Sequence, residues 1–449
     1  MELLGALTNN ATGGERWDWK KKGDVIQWGC GTVLCHDDPG RWGSEWNMAL
    51  DRKGMLGMGR DTQKEGPLIG GKGTGQETGK RMANLELLRC VAMMMVVVLH
   101  YLGKGDLLTD LTSDSMGSAG AAAWFLESFC IVAVNVYMFI SGYVMCRSSF
   151  KLSRLIVLWL QVWVYSVSFG IVGALAGTLG ATPFDTHYLL TLLFPVSMGH
   201  YWFMTAYLFV YLLLPFVGMA AGRMSKGQLG LALGLLLSVF CLLKSFLPLR
   251  LEMDQQGYDC LWYLCVFLSA AYVRRFGVKF LEKRERGLSL YVGCCLMIYA
   301  GTMALREIYL RTGSLERMLK MCLEYNHILP FLAAAGLFAF FRGIAIQGRG
   351  AKVINRIGPY TLGVYLLHEN LGLRYGWQKW FGAGQGNRDL IELLLGTLAA
   401  VVCVFTAGIL VDMMRKRLFV LLHRGLMRVG AYRRVVKAID RADSTFQGG

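Results

Sequence analysis

Apolar residues fall into ten runs, at about 85–104, 121–146, 153–177, 200–220, 227–248, 258–274, 287–306, 327–342, 357–373 and 391–414. At ~1.5 Å rise per residue, such runs are of the length that crosses a hydrocarbon core of ~30 Å. The pattern predicts an all-α polytopic membrane protein with about ten transmembrane helices. Composition agrees, with 54% hydrophobic and 17% charged residues against roughly 25% charged for a soluble domain.

Charge orients the runs. The connections after the second, fourth, sixth and eighth carry Arg147, Lys151, Arg154, Arg274, Arg275, Lys283, Arg284 and Arg286, with Glu282 and Glu285 as their acids. The positive-inside rule makes these loops cytoplasmic. The alternate connections mix fewer bases with Asp106, Asp110, Asp114, Asp185, Glu252, Asp254, Glu307, Glu316 and Glu324. The basic tail from Arg415 to Arg441 returns to the inner side, so the expectation is a multi-pass protein of the cytoplasmic (inner) cell membrane with both termini cytoplasmic.

Residues 1–80 are a different material, with 17 glycines, equal numbers of acids and bases, and no sustained apolar period. They are expected to form a disordered extension, which places the formal +16 in residues 81–449. Met82, just before the first run, is a candidate start, so the extension need not be native. The membrane domain is then 81–420, followed by a basic cytoplasmic tail at 421–449.

Ten of the twelve cysteines lie in or beside apolar runs without paired ligand spacing, where a free thiol behaves as a small hydrophobe. The one cluster with metal character, Cys30, Cys35 and His36, lacks a second ligand pair, so no metal site is expected. No P-loop, dinucleotide-binding or HExxH motif occurs.

What remains is polar chemistry at membrane depth. Arg89 and His100 share the first run, and eleven steps of ~100° bring them within roughly 20° of one face, about 16 Å apart along the axis. Ionisable groups there are costly and normally face a protein interior or wet cavity. His100 follows an unbroken apolar stretch from Cys90 to Leu99, which favours a functional role. Asn84, Glu86, Glu127, Asn135, Ser141, His200, Tyr201, Trp202, Tyr258, Trp262, Tyr263, His368, Glu369 and Asn370 add to the set. Plainer readings stand beside these: Trp and Tyr at helix ends anchor interfaces, Arg89 snorkels to the surface, RSSFKLSR is a topology signal, and His368 is a solvated loop residue.

NLELLRCVAMMMVVVLHY resembles the first transmembrane helix of the acyltransferase 3 family, whose pattern is a basic residue, ten residues, then histidine. NVYMFISGYVM (135–145), RSSFKLSR (147–154), HYWFMTAYLFVYLLLPFV (200–217), GYDCLWYLCVFLSAAYVRR (257–275) and GPYTLGVYLLHEN (358–370) are similar to further family segments in the same order. The resemblance covers roughly 81–420 and is nearest to the O-acetyltransferases of polysaccharides and lipid-linked sugars. One departure is that Lys151 and Arg154 stand where the family usually has two arginines three apart, and lysine lacks the bidentate fork.

The resemblance implies an enzyme with no permanently bound cofactor. Acyl-CoA, in the first instance acetyl-CoA, is its co-substrate, with a glycan or lipid-linked sugar as acceptor. Arg89, Arg147, Lys151 and Arg154 would hold the donor phosphates and His100 would serve as general base. Glu369 or Glu127 would orient the imidazole, and Tyr201, Trp202, Trp262 and His368 would line the acceptor site. The lipid bilayer is the other partner, no nucleic acid is expected, and homo-oligomerisation is left open. Two other classes compete: a proton-coupled secondary transporter, weakened by the lack of a visible internal repeat, and a non-catalytic membrane sensor.

Overall fold

A computed structural model describes residues 82–175, 186–247, 255–384 and 389–446. The expectations for residues 1–80, with Cys30, Cys35 and His36, and for Asp185, Glu252 and Asp254 lie outside the described residues. Helix α1 is Ala83–Lys104, and α2 (Ser118–Cys130) and α3 (Ala133–Met145) form one bent passage. Then come α4 (Leu152–Leu175), the short α5 (Thr186–Leu193), α6 (Trp202–Arg223), and α7 (Lys226–Leu237), which continues through a π-turn at Ser238–Leu242 to Phe246. Next are α8 (Cys260–Phe276), α9 (Arg284–Thr312), α10 (Ile328–Arg342), α11 (Gly348–Ile357), α12 (Thr361–His368), α13 (Leu390–Leu426) and α14 (Gly430–Thr445). No strand occurs among the described residues.

Eight helical stretches among the described residues are long and apolar enough to cross a membrane. The other two predicted spans are shorter. Helix α8 has 17 residues, about 26 Å at helical rise. The ninth run is broken: a 3₁₀ turn at Gly358–Tyr360 leads into α12, whose 8 residues cover only about 12 Å. Its path still matches α1 in depth, because Gly358 lies against Glu86 while His368 meets His100. Gly358–Pro359 replaces the first helical turn and the helix stops at His368 with Glu369 as its C-cap, so a run apolar enough to span is mostly turn. The expected tail is also helical, since α13 runs 37 residues through position 420.

Burial is inverted relative to a water-soluble protein. Val172, Leu175, Phe216, Leu231, Leu395 and Leu398 are exposed, whereas Asn135, Ser128, Asn370 and Asp412 are buried. Leucines facing outward along α4, α6, α7 and α13 require a lipid solvent, which makes this a multi-pass membrane protein. Helices α1, α3, α8 and α10 form the centre. Helices α9 and α10 touch backbone to backbone at Gly287 and Gly336, where a Cβ on either would lie 2.7 Å from the other's carbonyl oxygen. Small residues permit such close approach in membranes.

Buried polar groups tie the outer helices on. Asp412 of α13 takes hydrogen bonds from Arg415 (2.6 and 3.1 Å), Gln161 Nε2 (3.0 Å) and Tyr165 Oη (3.0 Å). The bend between α2 and α3 follows Ser128, whose hydroxyl donates to the carbonyl of Trp124 at 2.8 Å, a contact that bends helices.

Contacts also sort the connections into two ends. At one, Asn84 donates to the carbonyl of Arg342, Arg342 to that of Leu281, and Arg275 to those of Ala221 and Met224. At the other, Arg306 donates to the carbonyl of Ser113, and the 255–258 turn packs on Tyr325. The basic loops thus share one end, as the charge pattern requires.

Candidate active site

Helix α1 carries the reactive groups because its face toward α12 is the one on which Glu86, Arg89, His100 and Lys104 recur. His100 Nδ1 lies 2.8 Å from His368 Nε2. His368 Nδ1 is 2.6 Å from the carbonyl oxygen of Val364. A carbonyl only accepts, so His368 Nδ1 carries the proton and, in the neutral ring, Nε2 is an acceptor. His100 Nδ1 must then donate, which leaves the lone pair of His100 on Nε2. The His100 side chain keeps 20% exposure, enough for that nitrogen to meet a reactant.

Glu369 stands beside His100 and makes its closest contacts with two cations. It is buried between Lys104 and Arg374, the latter at 3.3 Å, and its nearest approach to His100 Nε2 is 4.0 Å. The partner that orients the imidazole is His368, which the sequence assigned to the acceptor site. Glu127 shares no hydrogen bond with His100. Its carboxylate lies within electrostatic reach of Lys320, Tyr258 and Tyr325. Lys104, Arg374 and Glu369 thus cluster beside His100.

The surrounding shell is rigid. Trp377 Nε1 donates to the carbonyl of His368 (3.2 Å) and Gln378 Nε2 to that of Arg374 (2.8 Å). Tyr201 Oη donates to the carbonyl of Leu366 (2.9 Å) and accepts from Asn370 Nδ2 (3.0 Å). His200 Nε2 accepts from the Leu371 amide at 3.1 Å, so its Nδ1–H faces Ser166 Oγ at 3.3 Å. Tyr201 is fully buried and holds α12 in place. Trp262, also buried, donates through Nε1 to Asn135 Oδ1 at 2.9 Å, so it too is part of the scaffold. Trp202 is only partly buried, stacks with Tyr325 and meets Tyr258 at a tilt, with centroids at 5.9 and 4.6 Å.

Of the basic residues, Arg89 pairs with Glu86 at 2.6 Å and keeps 27% exposure. Its carbonyl accepts from Tyr137 Oη at 2.8 Å. Ten residues separate Tyr137 from Arg147, which puts the basic loop roughly 15 Å from Arg89 along α3. Arg147 and Arg154 are exposed, and the Lys151 backbone is held by Tyr211 Oη at 3.2 Å. Arg274 lies over the Tyr143 ring at 4.5 Å and, like Arg147, within electrostatic reach of Cys146. The structure therefore brings Arg147 and Arg274 together and leaves Arg89 at an intermediate depth.

Sequence reasoning missed Lys104, Arg374 and Arg274. Lys104 was detectable, since it is one turn beyond His100 on the same face. Arg374 sits in a turn with no periodic signal, and Arg274 carries in the sequence only the signature of a topology marker.

A basic end and a histidine pair at the opposite depth, joined by one helix, make up the candidate site. Residues 82–412 match the acyltransferase domain model of the acyltransferase 3 family. The chain belongs to that family and is an integral membrane acyltransferase. No curated protein and no solved structure matches it.

Proposed function

We propose that the chain moves an acyl group, in the first place acetyl, from acyl-CoA to a hydroxyl of a cell-surface glycan or lipid-linked saccharide, with the donor reaching it from the cytoplasm and both termini on that side of the inner cell membrane. The observation that carries this reading is the free Nε2 lone pair of His100, fixed by the Val364–His368–His100 relay on the helix that also bears Arg89.

In this reading Arg147, Lys151, Arg154 and Arg274 hold the donor phosphates, Arg89 guides the pantetheine arm, and the thioester arrives beside His100. His100 Nε2 takes the proton of the acceptor hydroxyl as its oxygen bonds to the thioester carbon. The carbon–sulfur bond then breaks, and the proton passes to the departing CoA thiolate. Lys104 and Arg374, only partly neutralised by Glu369, stabilise the negative charge that develops on the carbonyl oxygen.

The test is purified protein with labelled acetyl-CoA and a saccharide acceptor. His100→Ala should lower transfer by at least about 100-fold, the lower range for loss of general-base catalysis, while the protein stays folded and membrane-inserted. Near wild-type turnover in that variant would remove His100 from the mechanism. Solute uptake without CoA release would favour a transporter.

A further inference from the structure

Away from His100, on the same end of the molecule, three aromatic rings are assembled with more backbone constraint than interface anchoring requires. Tyr258 packs at a tilt on Tyr325 with centroids 4.6 Å apart, and Trp202 contacts both rings. Tyr258 sits in a turn with positive φ at Gln256 (61°) and Gly257 (85°). A Cβ on Gly257 would lie 2.7 Å from the Tyr325 Cβ and 2.9 Å from the Asn326 nitrogen, so glycine is needed for the turn to lie against Tyr325. The Tyr325 amide donates to the carbonyl of Gln256 at 3.2 Å, and Asn135 Nδ2 donates to the carbonyl of Tyr325 at 2.7 Å. Asp259 caps α8 through the Trp262 amide at 2.8 Å. Tyr325 is thereby buried while Tyr258 keeps 42% of its surface.

A second, independent observation lies beside the rings. Glu127 Oε2 is buried and has no hydrogen-bond partner, although the carboxylate is within electrostatic reach of Tyr258, Tyr325 and the exposed Lys320. A buried acceptor without a donor is costly, because it has given up water and gained nothing in return. Ring contacts also link the cluster to His368, the neighbour of His100: His368 meets Tyr365 edge-on at 6.3 Å, Tyr365 meets Phe203 at 6.2 Å, and Phe203 meets Trp202 at 5.9 Å.

We propose that Trp202, Tyr258, Tyr325 and Glu127 form an acceptor subsite for a sugar ring. The apolar face of a pyranose packs on the exposed face of Tyr258, and one of its hydroxyls donates to Glu127 Oε2, while another part of the acceptor reaches His100 along Phe203 and Tyr365. The assignment rests on the acyl-transfer reading above and specifies where the acceptor is recognised.

The experiment uses the full chain in phosphatidylcholine nanodiscs, with methyl β-glucoside and methyl N-acetyl-β-glucosaminide as probes and glycerol as a ringless polyol. Saturation-transfer NMR without donor should show ring protons of at least one glycoside receiving magnetisation from wild type and from Tyr258→Phe. The signal should fall several-fold in Tyr258→Ala and in Glu127→Met, and glycerol should give none. Glu127→Met also removes an unpaired carboxylate from a buried position, so its thermal midpoint should hold or rise while sugar binding drops, which separates loss of recognition from loss of fold even where Tyr258→Ala does not fold. With acetyl-CoA present, the acceptor KM should rise at least tenfold in Glu127→Met with the donor KM within twofold of wild type. No glycoside binding to wild type, or undiminished binding in Glu127→Met, overturns the subsite. Absence of acetyl-CoA consumption by wild type with every acceptor, while glycosides still bind, would instead overturn the transferase reading and leave the subsite standing as a binding site.

Discussion

A single proton position decides the chemistry of this site. Val364 offers only a carbonyl to His368 Nδ1, and that choice propagates through the 2.8 Å contact to leave His100 with a basic Nε2. In the proposed mechanism His368 touches no reactant and acts by positioning His100. Replacing it by Ala should lower kcat by roughly 10–100-fold, with the donor KM little changed, as expected when the partner that orients a ligating or catalytic histidine is lost. His368→Gln, able to accept from His100, should recover part of the rate, and the acid limb of the pH–rate profile should move between the two variants. An unchanged profile and no recovery would mean that His368 serves packing alone. If His100 is the base, the acid limb has a fixed sign: protonating it fills the lone pair the proposed reaction needs, so rate falls as pH falls. His100 was legible in the sequence because an imidazole ending an apolar run has few plain explanations. His368 was legible as present and not as partner, since 268 residues separate the two and only the packing of α12 on α1 joins them.

Among the elements, the loop between α3 and α4 shows how a topology signal and a binding surface share residues. Asp443 of α14 takes hydrogen bonds from the amides of Leu152 and Ser153 and from Ser153 Oγ, at 2.5, 3.2 and 2.5 Å. It caps the start of α4, and Phe150 meets Phe446 at 4.9 Å. The capped backbone holds Lys151 in line while Arg147 and Arg154 stay exposed. If these charges hold donor phosphates, Lys151→Ala with Arg154→Ala should weaken acetyl-CoA binding by at least tenfold, and Arg89→Ala should do so less, because Glu86 already neutralises part of its charge. Isothermal titration with acetyl-CoA and with an acetyl-pantetheine thioester separates the roles: losses confined to CoA support phosphate contact, and equal losses for both donors point to folding. Apolar period located the long helices well. It failed at 357–373, where the Gly358–Pro359 turn and the stop after His368 leave only an 8-residue helix in a run of spanning hydropathy, because hydropathy reports burial and does not count helical turns.

At the scale of the whole molecule, the mechanism depends on which end faces the cytoplasm. Contacts gather the basic connections at one end and the His100 relay towards the other, a separation legible from loop charge because the bias of Lys and Arg acts on each loop during insertion and does not wait for tertiary packing. What sequence could not supply is how α1, α12 and α13 pack to place Lys104, Arg374 and Glu369 around the base. Sidedness is directly measurable. Ser149, in the basic loop, and Ser115, in the connection between α1 and α2, are both exposed. In a cysteine-depleted chain, single cysteines at these positions are labelled with a membrane-impermeant thiol reagent on intact cells, or on spheroplasts where an outer membrane blocks access. The cysteine replacing Ser115 should react at once, and the one replacing Ser149 only after permeabilisation. The reverse pattern would put Arg147, Lys151 and Arg154 out of reach of cytoplasmic acyl-CoA. The route from the basic loop past Arg89 to His100 would then carry no donor, and the charges of α1 would need a different partner.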